Sequence, residues 1–104
     1  KKDMIIVSGF NVYPNEIEEV AMQHHNVLEA GCVGIKNENG QETVKLFISL
    51  KEGKSLSIEE MMQYCRQNLT AYKVPKTLEI VDEIPKSNVG KVLRRELREK
   101  VKNV

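Results

Sequence analysis

The chain has 104 residues, with 16 Lys and Arg against 15 Asp and Glu and a formal net charge of +1. Apolar residues make up 40% and recur throughout, which reads as one soluble globular domain and excludes a disordered or low-complexity chain. The longest strongly apolar run, Met4-Ile5-Ile6-Val7, falls far short of the ~20 residues of a membrane span, and Lys1-Lys2-Asp3 leads into no apolar stretch of signal-peptide length.

The first element is a strand over Met4-Ile5-Ile6-Val7, broken by Ser8-Gly9 and answered by Phe10-Asn11-Val12-Tyr13 as the second arm of a small ribbon. Pro14 opens a helix at its first position, where the missing N–H costs nothing, and Glu16 suits the positive end of the dipole. Ile17, Val20, Ala21 and His24 fall on one helical face. Residues 27–36 read as a strand in which Gly31 and Gly34 permit close backbone approach or a bend. Asn37-Glu38-Asn39-Gly40 is a hairpin turn signal. In residues 43–50, Val44, Leu46, Ile48 and Leu50 share one face while Thr43, Lys45, Phe47 and Ser49 give a mostly polar one, predicting a half-buried antiparallel sheet.

Ser57 and Glu60 fit a capping box, and the helix they start aligns Met61, Cys65 and Leu69, with Met62 beside them. Pro75 ends the next loop, Thr77-Leu78-Glu79-Ile80-Val81 is a third strand, and Pro85 closes it. A turn-rich loop, residues 86–91, leads into a last helix from about Val92. Leu93, Leu97 and Val101 lie on one side of it and Lys91, Arg95, Arg98 and Lys102 on the other. The expected fold is α+β: a small three-stranded, antiparallel-containing sheet with three packed helices and an N-terminal two-stranded ribbon.

Cys32 and Cys65 form neither a disulfide framework nor a metal half-site and read as small buried hydrophobes of a reducing compartment. Asn68-Leu69-Thr70 fits the glycosylation pattern but has no secretion signal to accompany it. Adjacent His24 and His25 point about 100° apart on a helix and seldom share a metal. The expectation is a partly buried His24, an exposed His25 and no metal site. Residues 1–85 carry a net charge of −4 and residues 86–104 a net +5. The basic end suggests either a local anion site or a solvated helix face, and charge alone favours the latter. Gly90-Lys91 is not a phosphate loop, since Pro85 and Val92 stand where that motif needs Gly and Ser or Thr. Arg94, Arg95, Arg98, Lys100 and Lys102 could track nucleic-acid phosphates. However, no aromatic residue lies in 73–104 to stack a base, and Glu96 pairs with Lys100 at helical spacing.

Three stretches are more specific. Residues 1–18, Lys-Lys-Asp-Met-Ile-Ile-Val-Ser-Gly-Phe-Asn-Val-Tyr-Pro-Asn-Glu-Ile-Glu, resemble the opening of the small C-terminal domain of adenylate-forming acyl-CoA synthetases. Pro85-Lys86-Ser87-Asn88-Val89-Gly90-Lys91-Val92-Leu93-Arg94-Arg95 resembles its closing motif, and Tyr72-Lys73-Val74-Pro75-Lys76 a segment between them. Order and distances agree, so the resemblance covers essentially the whole chain, and it is greatest to bacterial long-chain fatty acid–CoA ligases.

The resemblance implies that residues 1–104 are the mobile lid of a larger enzyme whose N-terminal domain, absent here, binds ATP and the acid. That reading agrees with a chain that starts at Lys1 and not at Met. It implies Lys91 as the adenylation lysine, on a loop supported by Lys86 and Gly90, and a hinge at Lys2 and Asp3. Gly9 and Phe10 are implied at the pantetheine tunnel, and Lys73 and Lys76 as contacts to CoA. ATP, CoA and Mg²⁺ would serve the full-length enzyme, with none held by this domain alone, which is expected to be inactive. The partners implied are the parent N-terminal domain, ATP or acyl-adenylate, and CoA, with no nucleic acid. The location expected is cytoplasmic, with peripheral contact at the inner membrane open to the full-length protein. The alternatives are a non-catalytic basic-helix module binding nucleic acid or protein, or the same lid from another acyl- or aryl-CoA ligase.

Overall fold

The computed structural model describes residues 3–102. Its elements are β1 (Ile5–Val7), β2 (Phe10–Val12), α1 (Pro14–Met22), β3 (Val27–Lys36), β4 (Glu42–Leu50), α2 (Ile58–Asn68), β5 (Thr77–Ile80) and α3 (Arg94–Lys102), with a 3-10 turn over Ala71–Lys73. This is the expected α+β arrangement of a two-stranded ribbon, a three-stranded sheet and three helices.

The ribbon closes through two residues in the left-handed region, Ser8 at φ 51° and Gly9 at φ 85°. Two positive φ values in succession give a tight turn that matches the twist of an antiparallel pair, and Ile5 faces Val12 while Val7 faces Phe10. Pro14 starts α1 as expected, with no side-chain cap from Tyr13. The helix stops at Met22, so His24 lies just beyond it, its N–H donating to the Ala21 carbonyl at 3.1 Å.

Strands β3 and β4 form a long antiparallel hairpin. Asn37 organises its turn, because its Oδ1 accepts from the amides of Asn39 at 2.9 Å and Gln41 at 3.0 Å. Strand β5 lies parallel to β4, as it must when helix α2 carries the chain back before it returns. The predicted capping box is present: Ser57 Oγ accepts from the Glu60 amide and Glu60 Oε1 accepts from the Ser57 amide, both at 3.0 Å. Tyr64 donates its hydroxyl proton to the Val20 carbonyl at 2.7 Å, tying α2 to α1.

Helices α1 and α2 cover one face of the sheet, packing Ile17, Ala21, Met61 and Cys65 onto Ala30, Cys32, Leu46 and Ile48. Both cysteines are fully buried and free. The opposite face departs from the sequence expectation. Phe47 and Ser49 are buried there, because α3 folds back across the sheet and sets Leu97 with Ile84 against Val33 and Phe47. Gly31 makes room for it. A Cβ there would collide with Leu97 Cδ1 and press on Val92 and Ile84 at 3.2 and 3.3 Å. Lys45 escapes burial at the margin by pairing with Glu79 at 3.0 Å and lying over the Phe47 ring. Among the described residues no helix is long and apolar enough to cross a membrane.

Leu97 is the only fully buried side chain that α3 contributes among the described residues. Leu97→Ala is expected to lower stability by about 3 kcal/mol, as a large-to-small core change does. The urea midpoint measures it. A loss of only a few tenths would show that α3 is not docked as described.

Candidate functional site

The segment after Pro85, expected to be a flexible loop, is a hydrogen-bonded hairpin. Lys86 and Val92 pair as an antiparallel bridge. The Ser87 amide donates to the Lys91 carbonyl at 2.8 Å, the Gly90 amide to the Ser87 carbonyl at 3.0 Å, and the Lys91 amide to Ser87 Oγ at 3.2 Å. Gly90 sits at φ 83° with open space around it, so backbone conformation and not crowding selects glycine there. Val89 is 81% exposed at the tip.

Lys91 is exposed and forms no ion pair among the described residues. Its neighbouring cations differ. Lys86 Nζ lies 3.0 Å from Glu29 of β3. Arg94, first residue of α3, forks onto Glu18 of α1, its Nε donating to Oε2 at 3.0 Å and its Nη2 to Oε1 at 2.7 Å. Its Nη1 donates to Asp3 at 3.2 Å. Glu18 Oε2 also accepts the Cys32 amide at 2.8 Å, and the Glu18 side chain is only 6% exposed. Burial works to lower the Arg94 pKa, but the bond to Glu18 and the charges of Glu18 and Asp3 hold it above the usual arginine value.

Arg94 therefore does not belong with the phosphate-tracking cations of the basic helix, and Arg98 also leans on Asp3, at 3.5 Å. This weakens the nucleic-acid alternative. Lys2, expected at a hinge, lies outside the described residues, while Asp3, expected with it, is placed by these two arginines. A cleft of about 630 Å³ opens between α1 and the hairpin, lined among others by Asp3, Asn15, Glu19, Lys86, Lys91 and Arg94.

A second cleft, of about 570 Å³, lies beside the ribbon tip and shares no lining residue with the first. Gly9 and Lys76 meet there, as the sequence reading grouped them, together with Lys36 from the end of β3. Lys36 was not singled out from the sequence, since only the folded hairpin brings it to the ribbon. Phe10 and Lys73 are elsewhere. Phe10 stacks on Tyr72 with ring centroids 4.3 Å apart. Lys73 pairs with Glu16 at 3.0 Å, and that hydrogen bond raises its pKa. Lys73 is thus held by its own domain, whereas Lys76 is exposed with no ion pair among the described residues.

The remaining titratable candidates have local roles. Burial, reinforced by Glu18, pushes the Cys32 thiol far up, and burial takes Cys65 to about 11, so neither is a ready nucleophile. His24 is half-buried and His25 exposed, as expected, their rings stacked at 5.1 Å. His24 Nδ1 accepts the Asn26 amide at 3.1 Å, a bond that protonation would destroy. Burial and the neighbouring His25 lower its pKa below 6.5, with Glu60 opposing weakly. The unfolded chain therefore takes up that proton first, and stability is expected to fall as pH drops through about 6.5. His24→Gln should flatten the decline in a urea titration between pH 7 and 5, and an unchanged slope would show that His24 is not its source.

The family model for the AMP-binding enzyme C-terminal domain matches residues 16–91. A long-chain-fatty-acid–CoA ligase of Yersinia pestis is 61% identical over 95% of this chain and 17% of its own length. The solved Mycobacterium tuberculosis fatty acyl CoA synthetase superposes with a TM-score of 0.84 at 35% identity, over 95% of this chain and 20% of that one. ATP-bound MatB from Rhodopseudomonas palustris gives 0.87 at 31% identity, over 97% and 20%. The chain thus spans no more than a fifth of the length of these proteins. By sequence and by structure, it belongs to the family of AMP-binding enzyme C-terminal domains.

Proposed function

We propose that this chain serves as the mobile lid of an ATP-dependent fatty acid–CoA ligase, with Lys91 as its adenylation lysine. The observation that carries the reading is an exposed ammonium with no ion pair among the described residues, on a braced hairpin beside two cations that are both paired internally. A surface lysine with no special task would need no such stem. The names of the relatives supply the substrate class, a long-chain fatty acid and CoA.

In the first half-reaction the fatty carboxylate attacks the α-phosphorus of ATP, forming an acyl-adenylate and releasing pyrophosphate. Negative charge accumulates on nucleophile, phosphoryl oxygens and leaving group together. A positioned ammonium offsets that charge most where it is greatest, in the transition state. The magnesium that accompanies ATP would be held mainly by the nucleotide's own phosphates. In the second half-reaction the CoA thiolate attacks the acyl carbonyl and AMP leaves. The lid, turned about Lys2 and Asp3, would then bring the cleft at Gly9 to the thiol arm. Gly9 has nothing within 4 Å of where a Cβ would be, so the space there is open to a thin chain. Lys76 stands in the same cleft for a CoA phosphate.

Lys91→Ala in the full-length enzyme is expected to slow acyl-adenylate formation by about 10²–10³-fold, the cost of losing one transition-state charge partner. Thioester formation from supplied acyl-adenylate should stay near that of the unaltered enzyme. Pyrophosphate release and acyl-CoA formation, assayed separately, measure the two steps. Equal losses in both would contradict the assignment.

A further inference from the structure

The Lys91 hairpin is braced by its own hydrogen bonds, so where the ammonium points depends on how its stem is fixed to the rest of the domain. Two charged struts do this. Lys86 on one arm reaches Glu29 of β3 at 3.0 Å. Just past the other arm, Val92 packs into the apolar cluster around Leu97, and Arg94 forks onto Glu18 of α1. The second strut is the more constrained, because its carboxylate is buried and takes three hydrogen bonds: Glu18 accepts from Arg94 through both oxygens and also from the Cys32 amide.

The same guanidinium sends its third bond to Asp3, the one residue of the expected hinge pair that lies among the described residues. One planar group thus ties the base of the lysine hairpin to the helix beneath it and to the strand that leaves the hinge. A lysine in its place could not hold this geometry, since a single ammonium offers no rigid fork. Nothing in the chemistry of the pair itself requires it to touch substrate.

We propose that Glu18 and Arg94 are positioning residues for Lys91: they set the angle of the lysine hairpin against the hinge strand, and so act on the adenylation step and not on thioester formation. This rests on the reading of Lys91 given above. A displacement of the hairpin by about 1 Å is enough to lower a positioned group's contribution up to ~10²-fold. A purely structural salt bridge would instead lower both half-reactions together, in proportion to the folded fraction.

The test uses the full-length enzyme with Arg94→Met, Arg94→Lys and Glu18→Gln, each assayed for pyrophosphate release, for acyl-CoA formation from supplied acyl-adenylate, and for its urea midpoint. Arg94→Met is expected to lower the kcat of adenylation about 10–100-fold with little change in the KM for ATP, while the second half-reaction holds. Arg94→Lys should recover part of the loss. If Arg94→Met does not fold, the isosteric Glu18→Gln decides by the same ratio. The proposal is overturned if both steps fall together, or if a folded variant adenylates normally. The Lys91 reading fails separately, if Lys91→Ala leaves adenylation intact, so the two failures are distinguishable.

Discussion

The carboxylate of Glu18 is the constraint on which the rest of this domain turns. It sits among apolar side chains on α1, where an unpaired charge would cost several kcal/mol. It is tolerated because three donors converge on it, two from Arg94 and one from the Cys32 amide. Those donors come from two other parts of the chain, so the cost of burial is met only when α1, β3 and the start of α3 are assembled together. A charge at this place therefore acts less as a source of stability than as a condition on the geometry.

The sheet explains why that condition falls next to the candidate site. Helices α1 and α2 occupy one face, and α3, although strongly charged, occupies the other by inserting Leu97 over the backbone of Gly31. The hairpin that carries Lys91 is the last chain before α3, so its stem stands where the sheet edge, α1 and the segment leading into β1 meet. Arg94 is the residue that touches all of them through Glu18 and Asp3. The ribbon cleft with Gly9, Lys36 and Lys76 shares no wall with the Lys91 cleft. In the proposed function, where the domain presents different surfaces to two reactions, such a separation lets one orientation withdraw one surface while offering the other.

Much of the fold was legible because its signals are local. The span of strand β4, Pro14 at a helix start, the Ser57 and Glu60 box and the Asn37 turn each depend on neighbours within a few residues, and each is found where the sequence placed it. The buried role of Glu18 had a signal that went unused. Pro14, Ile17, Glu18 and Ala21 make one i, i+3, i+4, i+7 face, and a carboxylate within a core face calls for a buried partner. The basic face of α3 misled in the opposite sense. Charge counts could not show that Arg94 and Arg98 turn back onto Asp3 and Glu18.

By itself the sequence determined the order of the elements, the turns and caps between them, and the three motifs by which the family is recognised. Those properties follow from backbone preferences and side-chain periods that act over one or two turns of chain. Only the tertiary structure decided that both faces of the sheet are covered, that Lys73 is taken by Glu16 while Lys36 joins the ribbon cleft, and that the stem of the Lys91 hairpin is tied down by Lys86 and Arg94. Each of these joins residues far apart in the chain. Such pairings are set by which surfaces exclude water together and which buried charges find partners, and no local pattern records that outcome.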